Sequence, residues 1–155
     1  HTGPLMMGSI GETLRLEAGV VSETVNTAAR MEGLTKHFGI NVLLSEPTFL
    51  GLEEEQTSQL RRLGKVLVKG RKQPTEVFQA YGGETNVQGE VYTQFEEALQ
   101  SYLSKDFAQA IRLLEKVAAH LPDDQPTQYY LRLSRMYLVE GVSEDWDGIE
   151  RMLVK

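Results

Sequence analysis

The chain has 155 residues, no cysteine, three histidines, and 16 Lys plus Arg against 22 Asp plus Glu, which leaves a formal net charge of −6. An acidic chain of this kind excludes a general nucleic-acid binder, and the absent cysteines exclude disulfides, thiolate nucleophiles and cysteine-ligated metal sites. Hydrophobic residues at 41% and charged residues at 25% suit a globular domain, and no apolar run approaches the ~20 residues that span a bilayer, so no membrane contact is expected of this stretch.

The sequence opens at His1 rather than Met, runs into Pro4-Leu5-Met6-Met7 without a signal-peptide pattern, and reads as a piece of a longer chain. Residues 6–10 and 14–21 are short apolar segments separated at Gly11, expected to pair as a hairpin, with Gly8-Ser9-Ile10-Gly11 supplying its turn. Ser22 or Glu23 then opens a helix that carries Val25, Ala28, Ala29 and Leu34 and stops near Gly39. Residues 40–44 read as a buried strand. Ser45-Glu46-Pro47 starts a short helix, and Glu53-Glu54-Glu55 reads as a solvated loop. Residues 60–68 and 75–81 alternate and are joined by Lys69-Gly70-Arg71-Lys72-Gln73-Pro74, a hairpin with a basic tip.

A polar, glycine-containing stretch from Gly82 to Asn86 marks a boundary, which divides the chain into residues 1–83 and 84–155. The first unit carries nine basic and nine acidic residues and no aspartate, so the whole −6 falls in the second, where Asp106 is the first Asp of the chain. Only helices are expected there. Phe95, Ala98, Leu99 and Tyr102 form one apolar face, and Phe107, Ala110, Ile111, Leu114 and Val117 form the next, with Lys105-Asp106 as the turn. Pro122-Asp123-Asp124 ends that helix, Tyr130, Leu131, Leu133, Met136 and Tyr137 supply a third, and Trp146 anchors the tail. Small Ala98 and Ala110 at the crossing and Pro122 at the repeat end make this segment resemble a tetratricopeptide repeat, with the Phe95-to-Ala110 spacing about one residue short. One and a half such repeats bury too little by themselves, so the helices are expected to dock on the first unit or on a partner.

The residues best suited to chemistry lie in Val25-Asn26-Thr27-Ala28-Ala29-Arg30-Met31-Glu32-Gly33. Asn26 and Arg30 stand four apart, so a helix projects them from one face, with Ala28 and Ala29 expected on the side that packs against the sheet. An amide can position a sugar oxygen, and a guanidinium offers forked donors to phosphate oxygens whose charge grows in a transition state. An ordinary amphipathic helix with a solvated Asn and Arg shows the same spacing. Arg61, Arg62, Lys65, Arg71 and Lys72 read as surface charge, Asp123-Asp124 as a turn, and His37 and His120 as helix-end residues whose imidazolium form complements the helix dipole.

His1-Thr2-Gly3-Pro4, Gly8-Ser9-Ile10-Gly11, the run from Val20 to Glu32, and Val68-Lys69-Gly70-Arg71 with Pro74 together resemble the class III nucleotidyl cyclases, in order and in spacing. The resemblance covers about residues 1–82 and implies an α+β fold: the second half of a ferredoxin-like cyclase domain, a mixed sheet with helices, followed by an all-α tetratricopeptide-like segment. The helical tail and its closing Asp145-Trp146-Asp147-Gly148 are similar to the segment that follows some bacterial cyclase domains.

The resemblance implies conversion of ATP to cyclic AMP, or GTP to cyclic GMP, with release of pyrophosphate. It implies that Asn26 orients the ribose, Arg30 stabilises the transition state, and Lys69 holds the terminal phosphates. It also implies two metal ions, Mg²⁺ or Mn²⁺, whose aspartate ligands belong to the first half of the domain, so this stretch by itself is expected to be inactive. Family dimers build each site from both subunits, which makes self-association expected. The position that helps choose the base, often Asp or Thr, is Gly19 here, and ATP is favoured over GTP because adenylate cyclases dominate among similar bacterial proteins. A cytoplasmic location is implied, with upstream sensor or membrane segments common among relatives. The alternative is a non-catalytic dimerisation or interaction module whose helical tail presents a groove to a protein ligand.

Overall fold

A computed structural model describes residues 1–12, 15–68, 73–82 and 86–152. Strands β1 (Met6–Glu12) and β2 (Arg15–Val21) pair antiparallel, with Met7 opposite Val20 and Gly8 opposite Gly19. Gly8 to Gly11 therefore continue the strand rather than turn it, and residues 13–14, between the two strands, lie outside the described residues.

Helix α1 (Glu23–Phe38) starts where the Ser22 hydroxyl accepts the Val25 N–H, satisfying one of the donors that a helix leaves unpaired at its first turn. It ends on Gly39 in the left-handed region at φ 61°, a conformation that suits glycine and closes the last turn on the Thr35 carbonyl. Its buried stripe is Thr27, Met31, Leu34 and Phe38. That spacing of four, three and four is the packing face of a helix. Thr27 tolerates burial because its hydroxyl donates to the Glu23 carbonyl at 2.8 Å.

Strand β3 (Leu43–Ser45) is shorter than the expected 40–44, and the Ile40 N–H is still bonded to the Thr35 carbonyl at the end of α1. Ile40 is buried all the same. Helix α2 (Glu46–Phe49) follows the Ser45-Glu46-Pro47 start, and Phe49 stacks on Phe78 at 4.1 Å. The acidic Glu53-Glu54-Glu55 is not a plain loop: Glu53 and Gln56 form a capping box that opens the short helix α3 (Glu54–Thr57).

Strands β4 (Leu60–Val68) and β5 (Thr75–Ala80) pair antiparallel as expected, while the tip at residues 69–72 lies outside the described residues. The register shifts between Arg62 and Gly64, and the shift has a packing purpose. Arg61 and Leu63 are buried before it, Gly64, Val66 and Val68 after it, so the bulge moves the buried set from odd to even positions. Gly64 sits at φ 101°, and a Cβ there would meet the Tyr130 hydroxyl at 2.6 Å. Gly64→Ala is therefore expected to lower stability by about 1–3 kcal/mol, measured by urea unfolding. A loss under a few tenths would show that the bulge relaxes.

Helices α4 (Asn86–Leu103), α5 (Phe107–His120) and α6 (Gln125–Glu140) follow, capped at α5 by Asp106 and at α6 by Asp124. They lie on the sheet rather than apart from it. Leu34 and Phe38 of α1, Leu63 of β4, Phe95 of α4, Val117 of α5 and Tyr130 of α6 belong to one continuous core. Trp146 packs edge-on against Tyr102 at 5.3 Å and Phe107 at 5.6 Å, the anchoring role its indole suggested.

The stretch after residue 83 is not entirely helical. Strand β6 (Glu150–Met152) adds parallel to Val66–Val68, giving a sheet ordered β3-β5-β4-β6. Arg61 also departs from expectation, because its guanidinium is fully buried. It makes two 2.9 Å bonds to Asp124, donates to the Gln79 amide oxygen, and lies 4.2 Å from the centre of the Tyr92 ring. Arg62 is likewise engaged, with Glu76 and Glu96.

Candidate active site

The segment from His1 to Pro4 crosses the N-terminal end of α1. The Pro4 carbonyl accepts from the Thr24 hydroxyl at 2.5 Å and from the Ser22 hydroxyl at 3.3 Å. His1 Nδ1 lies 2.8 Å from the Ser45 hydroxyl and Thr2 Oγ1 lies 3.1 Å from Thr48 Oγ1. An open cleft of about 660 Å³ runs between these parts, lined by Pro4, Leu5, Met6, Ser22, Thr24 and Pro47 among others.

One turn into α1, Asn26 is exposed, and Arg30 a turn later is half-buried. Among the described residues, neither side chain has a hydrogen-bond or ion-pair partner. The helix brings the amide and the guanidinium to one face. Ala29, which shares that face, is exposed rather than packed on the sheet, and Ala28 is half-buried. The packing stripe runs one position to the side, through Thr27 and Met31. The exposed methyl group of Ala29 next to Arg30 leaves room for a ligand that a larger side chain would fill.

Gly19 faces Gly8 across the hairpin, so neither residue of that pair contributes a side chain. Lys69 lies outside the described residues, and the strand leading to it ends at Val68, which is buried. Around the hairpin and the start of α1, Leu5, Met6, Met7, Val20 and Val25 are exposed, with Met6 76% accessible.

Two polar clusters near the core had no signal in the chain. Glu150 on β6 is buried, with one carboxylate oxygen accepting from Tyr102 at 2.6 Å and the other from Tyr129 at 2.9 Å. Both phenols are pushed well above the usual tyrosine range, first by burial and then by the Glu150 charge. The second cluster is Arg61 with Asp124. His37 also differs from expectation: its ring packs at 5.1 Å against Phe38 and Tyr129, and burial, then the Arg132 charge, lower its pKa. The neutral imidazole is favoured there, so His37 is a packing group rather than a dipole-complementing cation.

Together these features define an α+β protein, a mixed sheet with helices, in which one helix offers an unpartnered amide and guanidinium near an open cleft. Residues 1–81 match the adenylate and guanylate cyclase catalytic domain, and the chain belongs to that family. An adenylate cyclase of Anabaena cylindrica is 36% identical over 80 residues, 51% of this chain and 16% of that protein. Adenylate cyclase 1 of Rhizobium meliloti (strain 1021) is 33% identical over 82 residues, 53% of this chain and 12% of that protein. A terminal-differentiation specific adenylate cyclase of Dictyostelium discoideum is 22% identical over 138 residues, 85% of this chain and 6% of that protein. This last similarity is too long to fit within residues 1–83 and so takes in part of the helical segment. The chain thus spans between 6% and 16% of the length of these relatives. No solved structure matches it.

Proposed function

We propose that residues 1–83 are the second half of a class III cyclase catalytic domain, that residues 84–155 form a tetratricopeptide-like tail, and that the whole enzyme converts ATP to cyclic AMP. The observation that carries the reading is the pair Asn26 and Arg30, unpartnered on one helix face inside the stretch that matches the family. ATP is preferred to GTP because all three relatives are named adenylate cyclases.

In the reaction, the ribose 3′-oxygen attacks the α-phosphorus, a new oxygen–phosphorus bond forms, and pyrophosphate departs as the 3′-hydroxyl proton is lost. The Asn26 amide orients the ribose. The Arg30 guanidinium donates to the phosphoryl oxygens as their charge grows, and such preorganised donors stabilise the transition state more than the bound substrate. Lys69 neutralises the terminal phosphates. Gly19 offers the base no side chain, so base choice falls to groups elsewhere in the enzyme.

The described residues do not fit the metal ions that the family uses. No three His, Asp or Glu side chains among them gather to hold one, and the first aspartate of the chain is Asp106. In this reading the ligands for Mg²⁺ or Mn²⁺ come from another part of the enzyme. No step is assigned to a metal held by this chain. The exposed apolar residues of the hairpin suit a dimeric enzyme whose sites are completed by other segments.

The test is cyclic nucleotide production from ATP and from GTP with Mn²⁺, by residues 1–155 alone and by the full-length protein. The short form is expected to be silent and the full-length protein to make cyclic AMP. If the full-length protein turns over neither nucleotide, the catalytic reading falls and a non-catalytic interaction module takes its place. Turnover by residues 1–155 alone would overturn the half-site reading.

A further inference from the structure

Helix α6 touches both α1, which carries Asn26 and Arg30, and β4, and strand β6 pairs with the end of β4. At the far end of α1, Tyr129 packs edge-on against His37 at 5.1 Å and Phe38 at 5.8 Å. Gln125 lies so close to Gly39 that a Cβ there would come within 2.5 Å of its Cγ. On β4, Asp124 holds Arg61, and the Tyr130 hydroxyl donates to the Leu63 carbonyl at 2.5 Å. Strand β6 pairs with Val66–Val68, the last three residues before Lys69. One end of α6 therefore grips the helix that carries Asn26 and Arg30 and the strand that leads to Lys69.

We infer that α6 and β6 form a clamp that sets the position of α1 against β4, and that Tyr129 and Glu150 are positioning residues for turnover. The inference rests on the cyclase reading of Asn26, Arg30 and Lys69. A helix is stiff, so a displacement at Phe38 is carried along roughly 12 Å of α1 to Arg30, at about 1.5 Å per residue. Catalytic groups must be held within about 0.5 Å of their productive geometry, so a small shift at the far end matters. Glu150 makes the grip firm. Its two oxygens are occupied by Tyr102 and Tyr129, and a buried carboxylate stripped of one donor is costly, so the clamp holds as a unit. Tyr129 is the link, since its ring touches α1 while its hydroxyl is held by β6.

The experiment uses the full-length enzyme with Tyr129→Phe and with Glu150→Gln, which keep size and shape and alter the hydroxyl–carboxylate bond. Arg135→Ala serves as control, because Arg135 pairs with Glu115 on the exposed side of α5 and α6. Both test variants are expected to lose about tenfold in kcat, as supporting residues around a site commonly do, with the KM for ATP within about twofold. The control stays at the parent value. Hydrogen exchange in the last two turns of α1 is expected to quicken in Tyr129→Phe and not in the control. Folded test variants whose kcat stays within about twofold of the parent, or an unchanged exchange pattern in α1, would overturn the clamp. If Glu150→Gln does not fold, Tyr129→Phe decides alone, since it loses one hydroxyl and keeps the ring against His37. If the parent enzyme makes no cyclic nucleotide, it is the cyclase reading that fails, and exchange in α1 still decides whether the clamp exists.

Discussion

Replacing Asp124 with Ala is expected to destabilise the protein by about 3–5 kcal/mol, because it strands the buried Arg61 guanidinium and removes the cap of α6. The Arg61 side chain has no exposed surface, and its charge is balanced by two 2.9 Å bonds to Asp124. The same carboxylate accepts the Thr127 N–H at 3.0 Å, so one side chain closes the ion pair and starts the helix. Asp124→Asn separates the two roles. Asparagine caps a helix about as well as aspartate, so its loss measures what the carboxylate gives Arg61, its charge together with the second acceptor oxygen. Urea unfolding is expected to rank the forms wild type, Asn, Ala. Pairing Asp124→Ala with Arg61→Met is expected to recover part of the loss, since an apolar replacement removes the stranded charge. If Asp124→Ala cost under 1 kcal/mol, water would have to reach Arg61 and the buried pair would not exist as described.

The same pair sets a pH dependence. Burial opposes ionisation of Asp124, but the Arg61 hydrogen bonds and charge, with smaller help from Thr127, outweigh it and hold the carboxyl below its ordinary value. A folded-state pKa below the unfolded one contributes stability that is complete above the unfolded value of about 3.9 and is lost as pH falls from there through the folded value. Wild type should therefore lose stability more steeply on acidification below about pH 4 than Asp124→Asn, which lacks the titrating group. Parallel acid titration curves for the two proteins would remove Asp124 from the acid response.

What could be read from the chain was local. Ser22, Gly39, Asp106 and Pro47 announce helix ends through bonds or turns made within a few residues. The stripe of Phe107, Ala110, Leu114 and Val117 announces the buried face of α5 by spacing alone. What could not be read was the choice of distant partners. Arg61 and Asp124 are 63 residues apart, and Tyr102 and Glu150 are 48 apart, so a basic residue in a strand looks the same whether it meets solvent or a carboxylate. Strand β6 is three residues long and holds Glu150 at a buried position, which is the opposite of a strand's usual apolar pattern. It is a strand because β4 offers it an edge and two tyrosines receive its carboxylate. The candidate site divides the same way. The spacing of Asn26 and Arg30 is local and legible, whereas the packing face of α1 runs about one position away from the Ala28-Ala29 side that the pattern suggests. Thr27, its hydroxyl bonded to the Glu23 carbonyl, occupies the buried stripe, and Ala29 is exposed.

On the proposed cyclase reading, replacing Arg30 with Ala in the full-length protein is expected to lower kcat by about 10²- to 10³-fold while the KM for ATP changes far less. The reason lies in when the charge appears. The ground-state nucleotide already carries charge that solvent and metal ions can balance, whereas the oxygens around the attacked phosphorus gain charge only as the new bond forms. A donor fixed at that position therefore contributes to the transition state and little to initial binding. Arg30 suits this task because the residue is half-buried, stands on a helix, and has no competing carboxylate among the described residues. Arg30→Lys keeps the charge but loses the planar fork, so it is expected to recover only part of the rate. Asn26→Ala is expected to act on the same step, because a ribose that is free to rotate presents its 3′-oxygen in line less often. If Arg30→Ala stayed within about threefold of wild type, the charge would be stabilised from elsewhere and the unpartnered face of α1 would need another ligand.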